Sequence, residues 1–252
     1  EQAEYFIKPI IVKILSKQNI VAPIKIIQLH KSRNNKNPSY SFYSKSIASI
    51  IYRKNPDILV TVIQEQKEKP LVLIEISAAV FTEDHELQRF DALDTALQHN
   101  CVGLKISSFR KSRSSFGGNT QYDHHEMYAV LFKKFAKHAF FIEWPTTDDS
   151  FAVITDGIYL SNPSNTKYLD EVFSICFKEI SQNGYTKKYL ENVEKNIKKI
   201  DFFKNWIDKV EQYDLQSPKS LTSDRTKWFD NHPDIHRPAL EITVNRMGHE
   251  MN

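Results

Sequence analysis

Asp57 and Glu75 are the two side chains whose type and spacing suit metal-assisted chemistry. Asp57 precedes an apolar, β-rich run from Ile58 to Gln64, and Glu75 lies inside a second such run, Leu71 to Ser77, with the polar insert EQKEKP between them. That pattern predicts a hairpin. If the pair closes around residues 66 and 67, Asp57 and Glu75 stand roughly opposite one another. Like charges set across a ladder cost stability unless a cation lies between them, and oxygen ligands suit a divalent ion such as Mg²⁺ or Mn²⁺. Pro56 has no backbone donor and is tolerated where a strand begins, so it holds the aspartate at the rim. The plainer alternative makes Asp57 a strand-start residue and Glu75 an exposed strand residue. Glu75 argues against it, because its neighbours in LVLIEIS are apolar on both sides and an acid there needs a partner.

Pro56-Asp57, the hairpin and Glu75-Ile76-Ser77 together resemble the active-site signature of the PD-(D/E)xK nuclease superfamily, with Ser77 where the family has a lysine. The segment that follows also fits, with a helical stretch from Asp84 to Asn100 and then the β-rich CVGLKISSF, a parallel strand reached by a helical crossover. The resemblance covers Pro56 to Phe109. It implies an α/β fold with a restriction-endonuclease-like mixed central sheet flanked by helices. It further implies a Mg²⁺-dependent endodeoxyribonuclease, with Mn²⁺ as an alternative ion, acting on double-stranded DNA and open to assembly as a homodimer. Asp57, Glu75 and the Ile76 carbonyl would be the metal ligands, and Ser77 would point its hydroxyl into the site. The missing positive charge would come from Arg89, or from Lys105 if it faces the same side, with Gln88 as a neutral substitute; Arg89 or Gln88 is favoured because the helix starts close to the motif. A catalytically inactive nucleic-acid-binding protein of the same fold, or an RNA or repair nuclease, are the competing readings.

The elements that must position these groups are legible from periodicity. Residues from Glu1 to Gln18 have helical spacing interrupted by Pro9, Ile20 to Leu29 alternates like a strand, and Ser41 to Arg53 is helical with Ile47, Ile50 and Ile51 facing inward. Asp84 is the expected N-cap of the helix carrying His85, Gln88 and Arg89 on one face and Leu87, Phe90, Leu93 and Leu97 on the other. Arg110, Lys111 and Arg113 sit in a polar run with Gly117-Gly118, suited to following a phosphate backbone. His124, His125 and Glu126 open a helix, but adjacent histidines lack the i, i+4 spacing of a helical zinc site. Two short strands, Ala139 to Trp144 and Ser150 to Thr155, precede an amphipathic helix from Tyr168 to Ile180 and one long helix from Thr186 to Tyr213. Residues 1–183 form the expected core and 184–252 a helical C-terminal extension. Pro233-Asp234 and Glu241 echo the motif without room for two strands and a turn.

Composition is that of an ordinary globular chain, 40% hydrophobic and 26% charged over 252 residues. The formal charge of +3 decides nothing, yet it is uneven. Before residue 56 the lysines and arginines, Arg33 and Lys36 among them, face only Glu1 and Glu4, an excess that favours a polyanion partner or else a solvated helix face. Cys101 and Cys176 each fall in apolar runs and are expected to be reduced core residues, which suggests a cytoplasmic protein. No stretch is apolar for long enough to span a bilayer, and EQAEYFIKPI has no signal-peptide pattern. The chain begins with Glu1, as a processed product or an excised piece would.

Overall fold

The computed structural model describes residues 2–27, 44–53, 56–76, 83–107, 124–145, 154 and 156–215. Four strands form one sheet in the order β1-β2-β3-β4, with β1 at Ile58–Gln64, β2 at Lys67–Ile76, β3 at Val102–Ser107 and β4 at Phe140–Glu143. β1 and β2 are antiparallel, whereas β2, β3 and β4 run parallel. The fold is therefore mixed α/β with an open four-stranded sheet flanked by helices.

The hairpin turns on Glu65 and Gln66, both left-handed with φ of 51° and 59°, the geometry of a two-residue primed turn. The turn thus closes one residue earlier than expected, and most of the polar insert, Lys67 to Pro70, is strand. Thr61 pairs with Pro70 but Val60 pairs with Val72, so Leu71 is an extra residue on β2, a β-bulge. The bulge has a partner of its own, since the Tyr189 hydroxyl donates to the Leu71 carbonyl at 3.3 Å.

β2 returns to β3 through α3 (Glu83–Gln98), whose direction must oppose the strands it connects. Leu93 and Ala96 of α3 lie over Gly103 of β3, where an added Cβ would come within 3.3 Å of Leu93 and 3.5 Å of Ala96. Glycine is needed for that close approach. Asp84, the expected cap, falls inside α3 because the helix already begins at Glu83. Ile50 of α2 (Lys45–Arg53) packs with Leu73, Ala92, Ala96 and Cys101 on the same face of the sheet.

The larger apolar cluster joins Ile74, Leu104, Ile106 and Phe140 of the sheet to α1 (Lys8–Lys17), α4 (His124–Phe135) and the C-terminal helices. These are α5 (Gly157–Ser161), α6 (Pro163–Asn183), α7 (Tyr189–Ile197) and α8 (Asp201–Glu211). Pro9 is accommodated by a π-helical turn at Ala3–Ile7 that leads directly into α1, so its missing donor falls in the first turn.

Two expected elements are absent as drawn. Residues 20–27 form no strand. The single helix from Thr186 to Tyr213 is two helices, broken where Ile200 adopts extended angles of φ −89° and ψ 119°. The break lets α7 pack on α6 while α8 turns to α4, a division that one straight rod cannot make. Most of the strand expected over 150–155 lies outside the described residues; Ile154 is described and belongs to no strand, its carbonyl accepting from Trp144 Nε1 at 2.8 Å.

Candidate active site

Asp57 lies one residue before β1 and Ile58 pairs with Ile74, so extending the ladder by one step sets Asp57 opposite Glu75. The Leu71 bulge makes this happen. Had Leu71 paired with Val60 in an unbulged ladder, the register set by the turn would place Asp57 against Ile74, and Glu75 would be on the other face. Asp57 is exposed, and its Oδ2 accepts a hydrogen bond from the Ile76 backbone N–H at 2.8 Å. That bond, spanning the first residue before β1 and the last residue of β2, fixes the carboxylate against the rim beside Glu75.

Glu75 is 4% exposed, contrary to the plainer expectation of an exposed strand residue. Its partner in the parallel ladder is Lys105, also 4% exposed. Paired residues on adjacent parallel strands share a face about 4.8 Å apart, so Lys105 presents its ammonium on the same side as Glu75. Burying either charge alone would be costly, and setting opposite charges on neighbouring strands offsets that cost.

Arg89 reaches the same region by helix geometry. It precedes Leu93 by four residues, one turn and about 6 Å along α3, while Lys105 lies two residues past Gly103, about 6.6 Å along β3. Because α3 runs against the strands, both steps go the same way, and Arg89, half-buried, stands over the level of Lys105 and Glu75. Gln88 lies on α3 one position earlier, with its side chain outside the described residues, as is Ser77 altogether. Arg33, Lys36, Arg110, Lys111 and Arg113 also lie outside them.

The ends of β2, β3 and β4 form one carboxyl edge, the location where ligands bind in open sheets with parallel strands. Sequence reasoning missed Ser107 and Glu143 there, which are ladder partners on the face that Lys105 uses. Counting parallel strands joined by helices would have found them, because such strands end at a common edge. Phe141, the partner of Lys105, stacks on Trp206 of α8 with ring centroids 5.5 Å apart, and His125 at the start of α4 lies 4.6 Å from that same indole. This aromatic wall flanks the edge. Tyr128 meets the same indole edge-on at 4.9 Å, and burial pushes its phenol well above the ordinary range, so it stays a neutral phenol.

Part of the N-terminal positive charge is answered within the fold. Lys13 pairs with Asp170 at 2.6 Å, Lys8 with Glu4 at 2.6 Å, and Arg53 with Asp94 at 3.3 Å. Asp94 also receives Lys134 and Gln98, joining α2, α3 and α4. For these three cations the surplus read from the sequence is structural.

Among the described residues no group of three or more His, Cys, Asp or Glu side chains gathers to hold a metal. The oxygen set at the rim is Asp57, Glu75 and the Ile76 carbonyl. Magnesium commonly binds through one or two carboxylates and keeps several waters, so this all-oxygen donor set fits it. Among the described residues no helix is long and apolar enough to cross a membrane. Comparison with protein-family models, with curated proteins and with solved structures finds no match to the chain.

Proposed function

We propose that this protein is a Mg²⁺-dependent endodeoxyribonuclease of the PD-(D/E)xK type, in which Asp57 and Glu75 hold the ion and Lys105 supplies the charge that Ser77 lacks. The observation that carries this reading is the meeting of Asp57, Glu75 and Lys105 at the carboxyl edge of the parallel strands, produced by one bulge and one strand register. Asp57, Glu75 and the Ile76 carbonyl would hold Mg²⁺, which would supply activation of a water and neutralisation of charge on the leaving oxygen of a phosphodiester. Asp57 is held for this purpose by the Ile76 N–H. Lys105, fixed by burial on a strand, would set a cation beside the phosphate oxygens on which negative charge is spread, and a group fixed in advance costs no reorganisation during reaction. Arg89 offers a second cation from above.

A non-catalytic DNA-binding protein is the alternative that one observation favours. Glu75 and Lys105 are neighbouring, equally buried charges of opposite sign, and a pair that balances itself has no need of an ion. Incubation of supercoiled plasmid with the protein and Mg²⁺ separates the two. Nicked or linear product that a chelator suppresses supports the nuclease, whereas retarded but intact plasmid with either Mg²⁺ or Mn²⁺ supports the binding protein.

A further inference from the structure

Asparagine is followed by glycine at only one place in the sequence, Asn183-Gly184. The fold requires that glycine. Its φ of 67° lies in the left-handed region, and a Cβ added to it would sit 3.2 Å from the side-chain amide of Gln64. The missing side chain that lets the chain pass so close to Gln64 also leaves the Gly184 nitrogen unscreened next to the Asn183 amide. Asn183 is exposed and is the last residue of α6. The Gly184 N–H donates to the Ile180 carbonyl at 2.9 Å, a bond of the final helical turn, and terminal turns open at little cost.

We propose that Asn183 is a site of spontaneous deamidation, and that its isoaspartyl product unfastens the hairpin tip from the connection after α6. When the last turn opens, the Gly184 nitrogen attacks the side-chain carbonyl carbon of Asn183. A new C–N bond closes a cyclic imide, and the side-chain nitrogen leaves as ammonia, taking the proton that Gly184 gives up. Water then opens the ring. Attack at the main-chain carbonyl gives isoaspartate, and attack at the side-chain carbonyl gives aspartate. The balance is water in and ammonia out, with no oxidant or reductant. Isoaspartate routes the main chain through its own β-carbon, adding a main-chain atom just ahead of Gly184 and Tyr185. Tyr185 is held at both ends, its N–H donating to Gln64 Oε1 at 2.6 Å and its hydroxyl to the Asn100 carbonyl at 3.1 Å, so the added length pulls it out of register with them. Either product also sets a negative charge at the carboxyl end of α6, where the helix dipole disfavours it. This inference does not depend on the nuclease reading.

The test is to age the full chain at neutral pH and physiological temperature beside Asn183→Gln, whose longer amide closes such a ring far more slowly and whose side chain suits a helix end. In the parent, the peptide spanning Asn183 is expected to gain the mass difference between an amide and an acid, and to accept methyl groups from an isoaspartyl methyltransferase, ahead of every other asparagine. The converted protein is expected to unfold at a lower urea concentration than the fresh parent, while aged Asn183→Gln keeps its starting midpoint. Asn183→Asp carries the charge without the added atom, and its loss should be smaller than that of the isoaspartyl form. An Asn183 that stays intact in the folded chain while converting in chain held unfolded in guanidinium would overturn the proposal. So would isoaspartyl protein whose midpoint equals that of the fresh parent or of Asn183→Asp.

Discussion

The packing of Glu75 against Lys105's strand and the chemical role proposed for the two can be separated by experiment. Lys105→Met leaves Glu75 buried without its neighbouring cation, a change expected to cost about 3–5 kcal/mol. Glu75→Gln combined with Lys105→Met removes both charges and should recover most of that loss, a coupling that a double-mutant cycle in urea measures directly. Cleavage should be absent from both proteins, so restored folding without restored activity would assign the pair to catalysis as well as to packing. The acids were legible in the sequence because an isolated glutamate in an apolar strand demands a partner. Lys105 was legible as a candidate cation, but its face was not, since its register is set by a crossover whose length periodicity does not fix. The cysteines were legible as core residues for the opposite reason, their neighbours being apolar throughout. Burial pushes both thiols up, Cys176 to about 12. The native chain then keeps protons that the unfolded chain loses above the ordinary thiol value of 9.0, so stability should fall as pH rises from there through about 12. Alkaline melting curves give that slope, and Cys176→Ser should flatten it.

At the scale of elements, the register of the hairpin is the feature on which the site depends. Deleting Leu71 would remove the bulge and leave Val60 with Val72 and Asp57 level with Glu75, whereas deleting Val60 would keep the bulge and bring Asp57 level with Ile74, on the other face. The Val60 deletion should lose cleavage and the Leu71 deletion should keep it; full activity in a folded Val60 deletion variant would show that this register does not align the acids. Gly103 sets how closely α3 can approach. Gly103→Val introduces bulk against Leu93, Ala96 and Ala139 and should cost about 1–3 kcal/mol in chemical denaturation. Strand order and the crossover were readable from alternation and spacing. The bulge was not, because nothing in KPLVL marks which residue is the extra one until Tyr189, far along the chain, takes the Leu71 carbonyl. The break between α7 and α8 escaped for a related reason. Val193, Ile197, Ile200, Phe203 and Ile207 keep near-helical spacing across it, and the break is decided by which partner, α6 or α4, each half covers.

For the molecule as a whole, one apolar cluster reaches from α1 to α8, and the connection after α6 binds distant parts together. Tyr185 donates its backbone N–H to Gln64 Oε1 at 2.6 Å and its hydroxyl to the Asn100 carbonyl at 3.1 Å, tying the hairpin tip to the start of β3. The strand ends remote from the site are thereby fastened together. If Asp57, Glu75 and Lys105 form one hydrolytic site, plasmid cleavage by the parent and by Asp57→Ala in parallel, with binding of the same DNA followed in each, will show it. Mg²⁺ is expected to support cutting by the parent, Asp57→Ala to abolish cutting, and both proteins to bind the DNA with similar affinity. Equal cleavage by the two proteins, or a parent that binds DNA and cuts it with neither Mg²⁺ nor Mn²⁺, would contradict it.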